Sequence, residues 1–455
     1  MSEKTNVSSK TSSPVSSRTL GKADLYALAI GQVIGAGIVS VLGSAIAATG
    51  RSAWLAYLVA IVIGFVVIFP FLLLSSVARL HGGMYSLVGG LLGEKWAGAY
   101  IMCYIPNAFS LSIYGVSLGA YANSLNPAID PKMVAIAITV IFYITNMMSV
   151  KGIATIQKPM TWLLIGTLVM FIVFGLTGLK ASPVEFSNPE FFTNGSSGFV
   201  KAVILLIYST TSYYMCINFG GNAKNAKKDI PLVMLTVPLI LVLIYCGAGI
   251  VAGCVMPISE VAGKPLTLVA KTVLPAPLFI LFIVGGVMMA LCTSLNSQFG
   301  AFGRIYSQGA KDQWFPSIFN KVNKNDQASV ILTIAFIITL IPIVTGLNIN
   351  EITNNIVLLT YISGLIPMFA VLKVPKLYPE AWKKSHLHMS DGVFYTVIVF
   401  CIIVKLGVTI ASASAMTVTR VIASLAAIAF CFGYAFWRSS TGKAKMDVKS
   451  FDVSD

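Results

Sequence analysis

The first long apolar segment of the chain contains the stretch that decides the fold, Gly31-Gln32-Val33-Ile34-Gly35-Ala36-Gly37-Ile38-Val39. Residues 25–49 around it are long enough to cross a bilayer as one helix, since ~20 apolar residues suffice. Each glycine weakens that helix, because Gly costs ~1 kcal/mol relative to Ala in a helix interior. A break would free backbone amide and carbonyl groups, which membranes tolerate only where these groups line a cavity or find a partner. The alternative is close helix packing, which Gly and Ala also permit.

The composition is typical of a polytopic membrane protein. Of the 455 residues, 56% are hydrophobic and 10% are charged, whereas about 25% are charged in soluble domains. We therefore predict an all-α polytopic membrane protein with a single transmembrane domain at residues 23–438. A Ser-, Thr- and Lys-rich N-terminal tail at residues 1–22 is expected to be disordered, and a second tail follows at residues 439–455.

Hydropathy divides the transmembrane domain into spans separated by short polar loops. We predict about twelve of them, at residues 24–49, 53–79, 96–124, 132–149, 156–180, 197–220, 232–256, 275–303, 329–347, 352–373, 393–413 and 417–437.

Lys and Arg are concentrated in alternate loops and in both tails, as in the cluster Lys224, Lys227 and Lys228. The positive-inside rule places these loops and both termini in the cytoplasm, and we expect a prokaryotic plasma membrane. The same rule accounts for the net charge of +15 without a nucleic-acid partner. The expected partners are the lipid bilayer and a small-molecule substrate, and the oligomeric state is left open.

The sequence has no pattern for a cofactor, a metal site or a catalytic centre. Its seven cysteines fall within apolar segments and form no CxxC pair, so we interpret them as small buried side chains. His81, His386 and His388 lie in loops and form no metal-binding HExxH motif. We therefore expect no cofactor, no metal and no enzyme activity.

The centres of the predicted spans contain no Asp or Glu, and Lys405 in the eleventh span is their one basic residue. Buried charges in membranes usually mark ion relays or sites for charged substrates. For Lys405 we favour a structural interpretation, in which it faces protein or extends toward an interface. The lack of acidic residues favours a net-neutral substrate.

Three other spans contain unusual polar runs. The sixth contains Tyr208-Ser209-Thr210-Thr211-Ser212-Tyr213-Tyr214, the third contains Pro106-Asn107, and the eighth contains Ser294-Leu295-Asn296-Ser297-Gln298. Such residues can bend helices or join them, as well as contact a ligand. However, the first and sixth spans open two successive five-span blocks, and interrupted spans at matching positions indicate a binding site near the membrane midplane.

Together these features resemble the amino acid–polyamine–organocation (APC) transporter superfamily. The first-span stretch is similar to its GxxIGxGI signature, and a GGxY turn is present as Gly82-Gly83-Met84-Tyr85. Two cytoplasmic-loop motifs also have counterparts, in Lys224-Asn225-Ala226-Lys227-Lys228-Asp229-Ile230-Pro231 and in the segment from Arg304 to Pro316. The four motifs are in register across nearly the whole chain.

The resemblance implies a LeuT-like fold. In this fold two inverted five-helix repeats, here about 24–180 and 197–373, are followed by two C-terminal helices, here about 393–437. Helices 1 and 6 are broken and hold the substrate at their breaks.

The resemblance also implies substrate-binding residues. Gly35, Ala36 and Gly37 would bind the substrate carboxylate through their backbone, with Gln32 and Val33 near the amino group. Tyr208 corresponds to a gating aromatic residue. The remaining substrate contacts are predicted on the third, sixth and eighth spans, at Cys103, Asn107, Ser212, Tyr213 and Gln298. Lys405 matches no site of the family.

Three departures from the family pattern affect the predicted mechanism. Ser212 replaces a sixth-helix glycine, so we expect less unwinding there. Tyr214 replaces a glutamate, and Leu164 replaces the fifth-helix lysine that many amino acid carriers have, which disfavours obligatory proton coupling. We therefore predict a secondary active exchanger of neutral or net-neutral amino acids working by alternating access. The alternatives are a proton-coupled symporter, an antiporter of an amino acid and its decarboxylation product, and, remotely, a channel or sensor.

Overall fold

The computed structural model describes residues 18–35, 37–148, 150–325, 327–347, 349–414 and 416–454. Helices dominate the described chain, together with one pair of two-residue strands. The α-helices are α1 Lys22–Val33, α2 Leu42–Thr49, α3 Ala53–Ser75, α4 Met84–Leu92, α5 Glu94–Tyr104, α6 Ser112–Leu125, α7 Pro131–Asn146, α8 Val150–Thr177, α9 Gly195–Ile207, α10 Ala226–Leu241, α11 Gly247–Cys254, α12 Ile258–Val261, α13 Leu266–Val273, α14 Ala276–Leu281, α15 Met289–Lys311, α16 Ser329–Thr345, α17 Ile349–Ser363, α18 Leu365–Val371, α19 Val374–Leu377, α20 Pro379–Lys383, α21 Asp391–Ser414 and α22 Val418–Ser440.

Within the described residues, eight helical spans are long and apolar enough to cross a membrane. Three shorter apolar helices accompany them, at Pro131–Asn146, Ser329–Thr345 and Ile356–Val371. The prediction of an all-α polytopic membrane protein is thereby confirmed. The count of twelve spans and the inverted repeat stay predictions.

Large apolar side chains cover the outside of the helical bundle. Leu239 on α10, Ile410 on α21 and Phe430 on α22 are 65%, 67% and 75% exposed. Extensive apolar surface of this kind marks contact with a membrane or a partner. These helices therefore present the faces expected to contact lipid.

The first predicted span is interrupted where its glycines lie. Helix α1 ends at Val33, and Ile34 has an extended backbone conformation with φ −82° and ψ 95°. A π-helical segment, Gly37–Val41, then leads into α2. Ala36 lies outside the described residues.

The sixth predicted span is interrupted more widely than its sequence predicts. Helix α9 ends at Ile207, and an 11-residue 3₁₀ segment, Ser212–Asn222, continues the span. The Ser209 and Thr210 hydroxyls donate to the carbonyls of Leu206 and Ile207 at 2.8 and 3.0 Å. Such bonds compete with regular helix formation, so the sixth span is interrupted even with Ser212 in place of glycine.

Buried amide side chains fix α1 against α8 and α15. Gln157 donates through Nε2 to the carbonyls of Ala27 and Thr293, at 3.3 and 3.2 Å. Asn296 donates through Nδ2 to Gln157 Oε1 at 2.8 Å. Because these hydrogen bonds satisfy buried polar groups, Asn296 of the eighth-span polar run joins helices.

Both terminal segments pack against the same end of the bundle. Strand β1, Arg79–Leu80, pairs antiparallel with strand β2, Phe451–Asp452. Leu20 forms a parallel bridge with Ala223 and is fully buried. Residues 441–454, which we call the C-terminal strap, are therefore packed on the protein. Of the N-terminal tail predicted at residues 1–22, residues 1–17 lie outside the described residues, and Leu20 is packed rather than disordered.

Candidate functional site

A cavity of about 120 Å³ lies beside the interruptions of the third and sixth predicted spans. Helices α3, α5, α15, α17, α18 and α21 complete its wall. The third span contributes because α5 stops at Tyr104 and a 3₁₀ segment, Pro106–Leu111, follows it. The cavity is therefore built around irregular backbone, where a ligand site is expected in a membrane protein.

The cavity wall combines aromatic rings, neutral polar groups and one charge. Its aromatic residues are Phe71, Tyr104, Tyr208, Tyr214, Phe302 and Tyr361. Its neutral polar side chains belong to Asn107, Ser110, Thr211, Ser212, Gln298 and Thr360. Lys405 is the one charged residue among the described lining residues. A few convergent polar groups in an otherwise apolar wall are typical of small-molecule sites.

Four of the predicted site residues lie together in this cavity: Asn107, Tyr208, Ser212 and Gln298. Asn107 is held in place because its Oδ1 accepts a hydrogen bond of 2.9 Å from the Thr360 hydroxyl. Tyr208, the predicted gate, faces the Tyr361 ring with 6.5 Å between ring centroids. The sequence thus identified residues that are far apart in the chain and adjacent in the fold.

The aromatic wall contains an unsatisfied polar group. Tyr104 is 6% exposed and packs edge-on against Phe302, with 4.6 Å between ring centroids. Its hydroxyl is buried and has no hydrogen-bond partner among the described residues. A buried hydroxyl without a partner costs free energy, and a polar ligand in the cavity would relieve that cost.

Of the predicted first-span residues that the structure describes, Gln32, Val33, Gly35 and Gly37 lie outside the lining of this cavity. Gln32 donates through Nε2 to the Ser297 carbonyl at 3.1 Å, and the Val33 carbonyl accepts from the Tyr245 hydroxyl at 2.7 Å. The Gly37 carbonyl accepts from the Tyr57 hydroxyl at 3.1 Å. Hydroxyl groups of the protein therefore already satisfy carbonyl groups of this break.

Gly35 and Gly37 also permit close packing. A Cβ atom at Gly35 would lie 2.4 Å from Ser294 Oγ, and one at Gly37 would lie 2.2 Å from Ser209 Cβ. No side chain fits there without movement. The glycines of the first span therefore do both things that the sequence allows: they lie at a helix break, and they permit close packing.

Cys103 and Tyr213 are buried away from the cavity lining. Cys103 packs in a small cluster with Ile356, Leu359 and Cys431. Tyr213 is 1% exposed, and its hydroxyl has no hydrogen-bond partner among the described residues. Cys103 therefore packs toward α17 and α22 and does not face the cavity.

Lys405 lines the cavity but is not among the site residues predicted from the sequence. Its ammonium nitrogen lies 4.0 Å from the centroid of the Tyr361 ring, inside the cavity wall. The sequence did contain an indication of this role, since Lys405 is the one basic residue at the centre of a predicted span. The sequence could not show which way the side chain points, because packing alone determines the rotation of α21 about its axis.

Comparison with known proteins agrees with this architecture. The family model described as amino acid permease matches residues 20–440. The chain is 24% identical over 402 residues to the D-serine/D-alanine/glycine transporter of Escherichia coli, covering 83% of each protein. It is 26% identical over 383 residues to a probable threonine/serine transporter of Bacillus subtilis, covering 78% of this chain and 80% of that protein.

A third relative is the aromatic amino acid transport protein AroP of Corynebacterium glutamicum, 21% identical over 66% of this chain and 68% of that protein. The match to the family model extends over all the helices described, from α1 to α22. The chain therefore belongs to the amino acid permease family and is a multi-pass amino acid transporter, not an enzyme.

Proposed function

We propose that the cavity is the transport site and that the protein exchanges neutral or net-neutral amino acids by alternating access. The observation that carries the proposal is the wall itself, in which hydroxyl and amide groups converge beside two interrupted spans without any carboxylate among the described lining residues. An acidic group would be expected in a site for diamines or other cations. The substrates named for two relatives, D-serine, D-alanine, glycine and threonine among them, are also neutral.

Within this site, Asn107, Ser212 and Gln298 are proposed to contact the substrate, and Tyr208 to act as the gate. Tyr208 is 37% exposed and lines the cavity, so its ring can move without disturbing the packed core. Gly35, Ala36 and Gly37 are retained as a proposed backbone contact for the substrate carboxylate, which would use their amide groups. Gln32, Val33, Cys103 and Tyr213 are left out, since their described contacts lie elsewhere.

The proposed orientation places both termini in the cytoplasm. The lysine and arginine distribution supports it, and so does the packing of Leu20 and the C-terminal strap at one end of the bundle. Leu164 supports transport by exchange. It is fully buried on α8 where many amino acid carriers have a lysine, and it provides no titratable group for proton coupling.

Uptake by purified protein in liposomes tests the proposed function. Labelled glycine, alanine, serine, threonine and phenylalanine are offered to vesicles that contain either the same unlabelled amino acid or buffer alone. We expect uptake of at least one of them to require internal amino acid. Equal uptake into empty vesicles under an imposed pH gradient would instead establish proton-coupled symport and refute exchange.

The gate is tested in the same assay by Tyr208→Ala. Loss of the ring opens the cavity wall, and we expect exchange to fall about tenfold, an effect equivalent to ~1.4 kcal/mol. Tyr395→Ala is the matched control, because Tyr395 is 39% exposed but lies outside the cavity lining. Equal exchange rates for the two variants would remove Tyr208 from the mechanism.

A further inference from the structure

Lys405 occupies an unusual position for a basic residue of a transmembrane helix. It lies in α21, nine residues before the end of that helix at Ser414, which corresponds to roughly 13 Å along the helix axis. The residue is 9% exposed, and its side chain lines the cavity. Lys405 therefore faces protein, the first of the two alternatives that the sequence left open, and does not extend toward an interface.

The ammonium group of Lys405 has no anionic partner in the part of the chain that the structure describes. Among the described residues, no carboxylate forms an ion pair with it and none lines the cavity. Its described contact is the face of the Tyr361 ring, 4.0 Å away. A cation–π contact stabilises the charged form, but the three N–H donors of the ammonium group have no acceptor among the described residues.

The surroundings of Lys405 leave room for a ligand. Gly364 lies next to it, since a Cβ atom on that glycine would be 3.9 Å from Lys405 Cε. Asn107, Thr360 and Gln298 supply neutral polar groups in the same wall. A buried ammonium group without an anion costs free energy, so a structural role alone is a poor explanation for this lysine. A ligand carboxylate would satisfy both its charge and its donors.

We propose that the Lys405 ammonium group binds a carboxylate of the transported molecule, so that the substrates include singly anionic amino acids, which carry a side-chain carboxylate. This inference rests on the proposed function, because it assumes that the cavity is the transport site. It extends the substrate class beyond neutral amino acids. It also excludes amino acids with a cationic side chain, since the described lining residues offer them a like charge and no carboxylate.

Matched pairs of competitors test the proposal on the wild-type protein. Vesicles exchange a labelled neutral amino acid, and external glutamate is compared with glutamine, aspartate with asparagine, and both pairs with lysine. Each acid and its amide have nearly the same shape but differ by one charge. We expect at least one acid to inhibit at concentrations about tenfold lower than its amide, as for a charge-assisted hydrogen bond, and lysine not to inhibit.

Variants then assign the preference to Lys405. Lys405→Gln is expected to abolish the preference for the acid, whereas Lys405→Arg is expected to retain it. Thr409→Val is the matched control, one turn along the same helix, where the Thr409 hydroxyl donates to the Lys405 backbone carbonyl at 2.8 Å. This control is expected to keep the wild-type ratio between acid and amide.

Three outcomes would overturn the proposal. If neutral amino acids are exchanged but acids and amides inhibit equally in the wild type, the inference fails while the proposed function stands. If Lys405→Gln weakens acid and amide in parallel, Lys405 has only a structural role. If no amino acid of either panel is exchanged, the proposed function fails and this inference fails with it.

Discussion

At the residue scale, Gly37 combines two properties that the sequence could not separate. It lies at the start of the π-helical segment that follows the first-span break. It also faces Ser209 in the sixth-span interruption, where a Cβ atom on Gly37 would lie 2.2 Å from Ser209 Cβ. The two breaks therefore contact each other directly through a glycine and a serine.

Gly37→Ala should destabilise the protein and reduce exchange, because the new methyl group overlaps Ser209. Overpacking of this kind typically costs about 1–3 kcal/mol. Gly166→Ala is the matched control, since no atom outside its own helix backbone lies within 4 Å of its added Cβ position. The measurement is the apparent Tm in detergent together with exchange in vesicles.

A second substitution identifies the cause. Ser209→Gly in the Gly37→Ala background removes the Cβ atom that the new methyl group meets, so stability and exchange should both recover. Recovery of stability without recovery of exchange would show that Gly37 serves ligand access as well as packing.

At the element scale, the C-terminal strap is held by a buried aromatic residue. Phe451 is 4% exposed and packs against Tyr378 with 5.0 Å between ring centroids. Gly90 on α4 makes room for it, because a Cβ atom there would lie 2.5 Å from Phe451 Cγ. The strap is thereby attached to the helical bundle through side-chain packing as well as strand pairing.

Phe451→Ala should release the strap, since truncating a buried Phe typically costs about 3–5 kcal/mol. Val448→Ala is the control within the strap, because Val448 is 71% exposed. Limited proteolysis of the C-terminus is the measurement. Equal protease resistance of the two variants would show that strand pairing alone holds the strap.

The strap also contacts a buried carboxyl group outside the membrane. Asp312, just after α15, accepts hydrogen bonds from the Tyr85 hydroxyl at 2.7 Å and from Gln308 Nε2 at 3.0 Å. The backbone amide of Asp447 in the strap donates to the same carboxyl group at 3.3 Å. Burial outweighs these hydrogen bonds and raises the pKa of Asp312 to about 6.

The raised pKa predicts how stability depends on pH. A carboxyl group whose folded-state pKa lies above its unfolded value stabilises the fold below the unfolded pKa, and this stabilisation is lost as pH rises through about 6. Between pH 7 and pH 5 the wild type should therefore gain about 1 kcal/mol relative to Asp312→Asn. Tm profiles of the two proteins across this range measure the difference, and parallel profiles would contradict it.

The predictable parts of the fold are those that depend on local sequence. The breaks of the first and sixth spans follow from clustered glycines and hydroxyl residues, whose effects act within one or two helical turns. Lys405 could be placed at the centre of a span but not in the cavity, because its direction depends on how α21 packs. The prediction of a tail at residues 439–455 misses the packing of Phe451 for a similar reason, since its partners Gly90 and Tyr378 are remote in the chain.

At the scale of the whole molecule, the distribution of positive charge predicts which end of the bundle faces the cytoplasm. All seven cysteines are buried, so a single introduced cysteine can report its side of the membrane with low background. Two exposed positions suit the test. Phe186, 60% exposed, lies in the loop between α8 and α9, and Val448, 71% exposed, lies in the strap.

In intact cells, a membrane-impermeant maleimide should label Phe186→Cys but not Val448→Cys, because the positive-inside rule places the loop outside and the strap in the cytoplasm. Permeabilised cells should show labelling of both, which controls for accessibility. The reverse pattern would show that the protein has the opposite orientation, so that the proposed gate Tyr208 would face the opposite side of the membrane. Labelling of both positions in intact cells would place them on the same side. It would contradict the odd number of spans that we predict between residues 186 and 448.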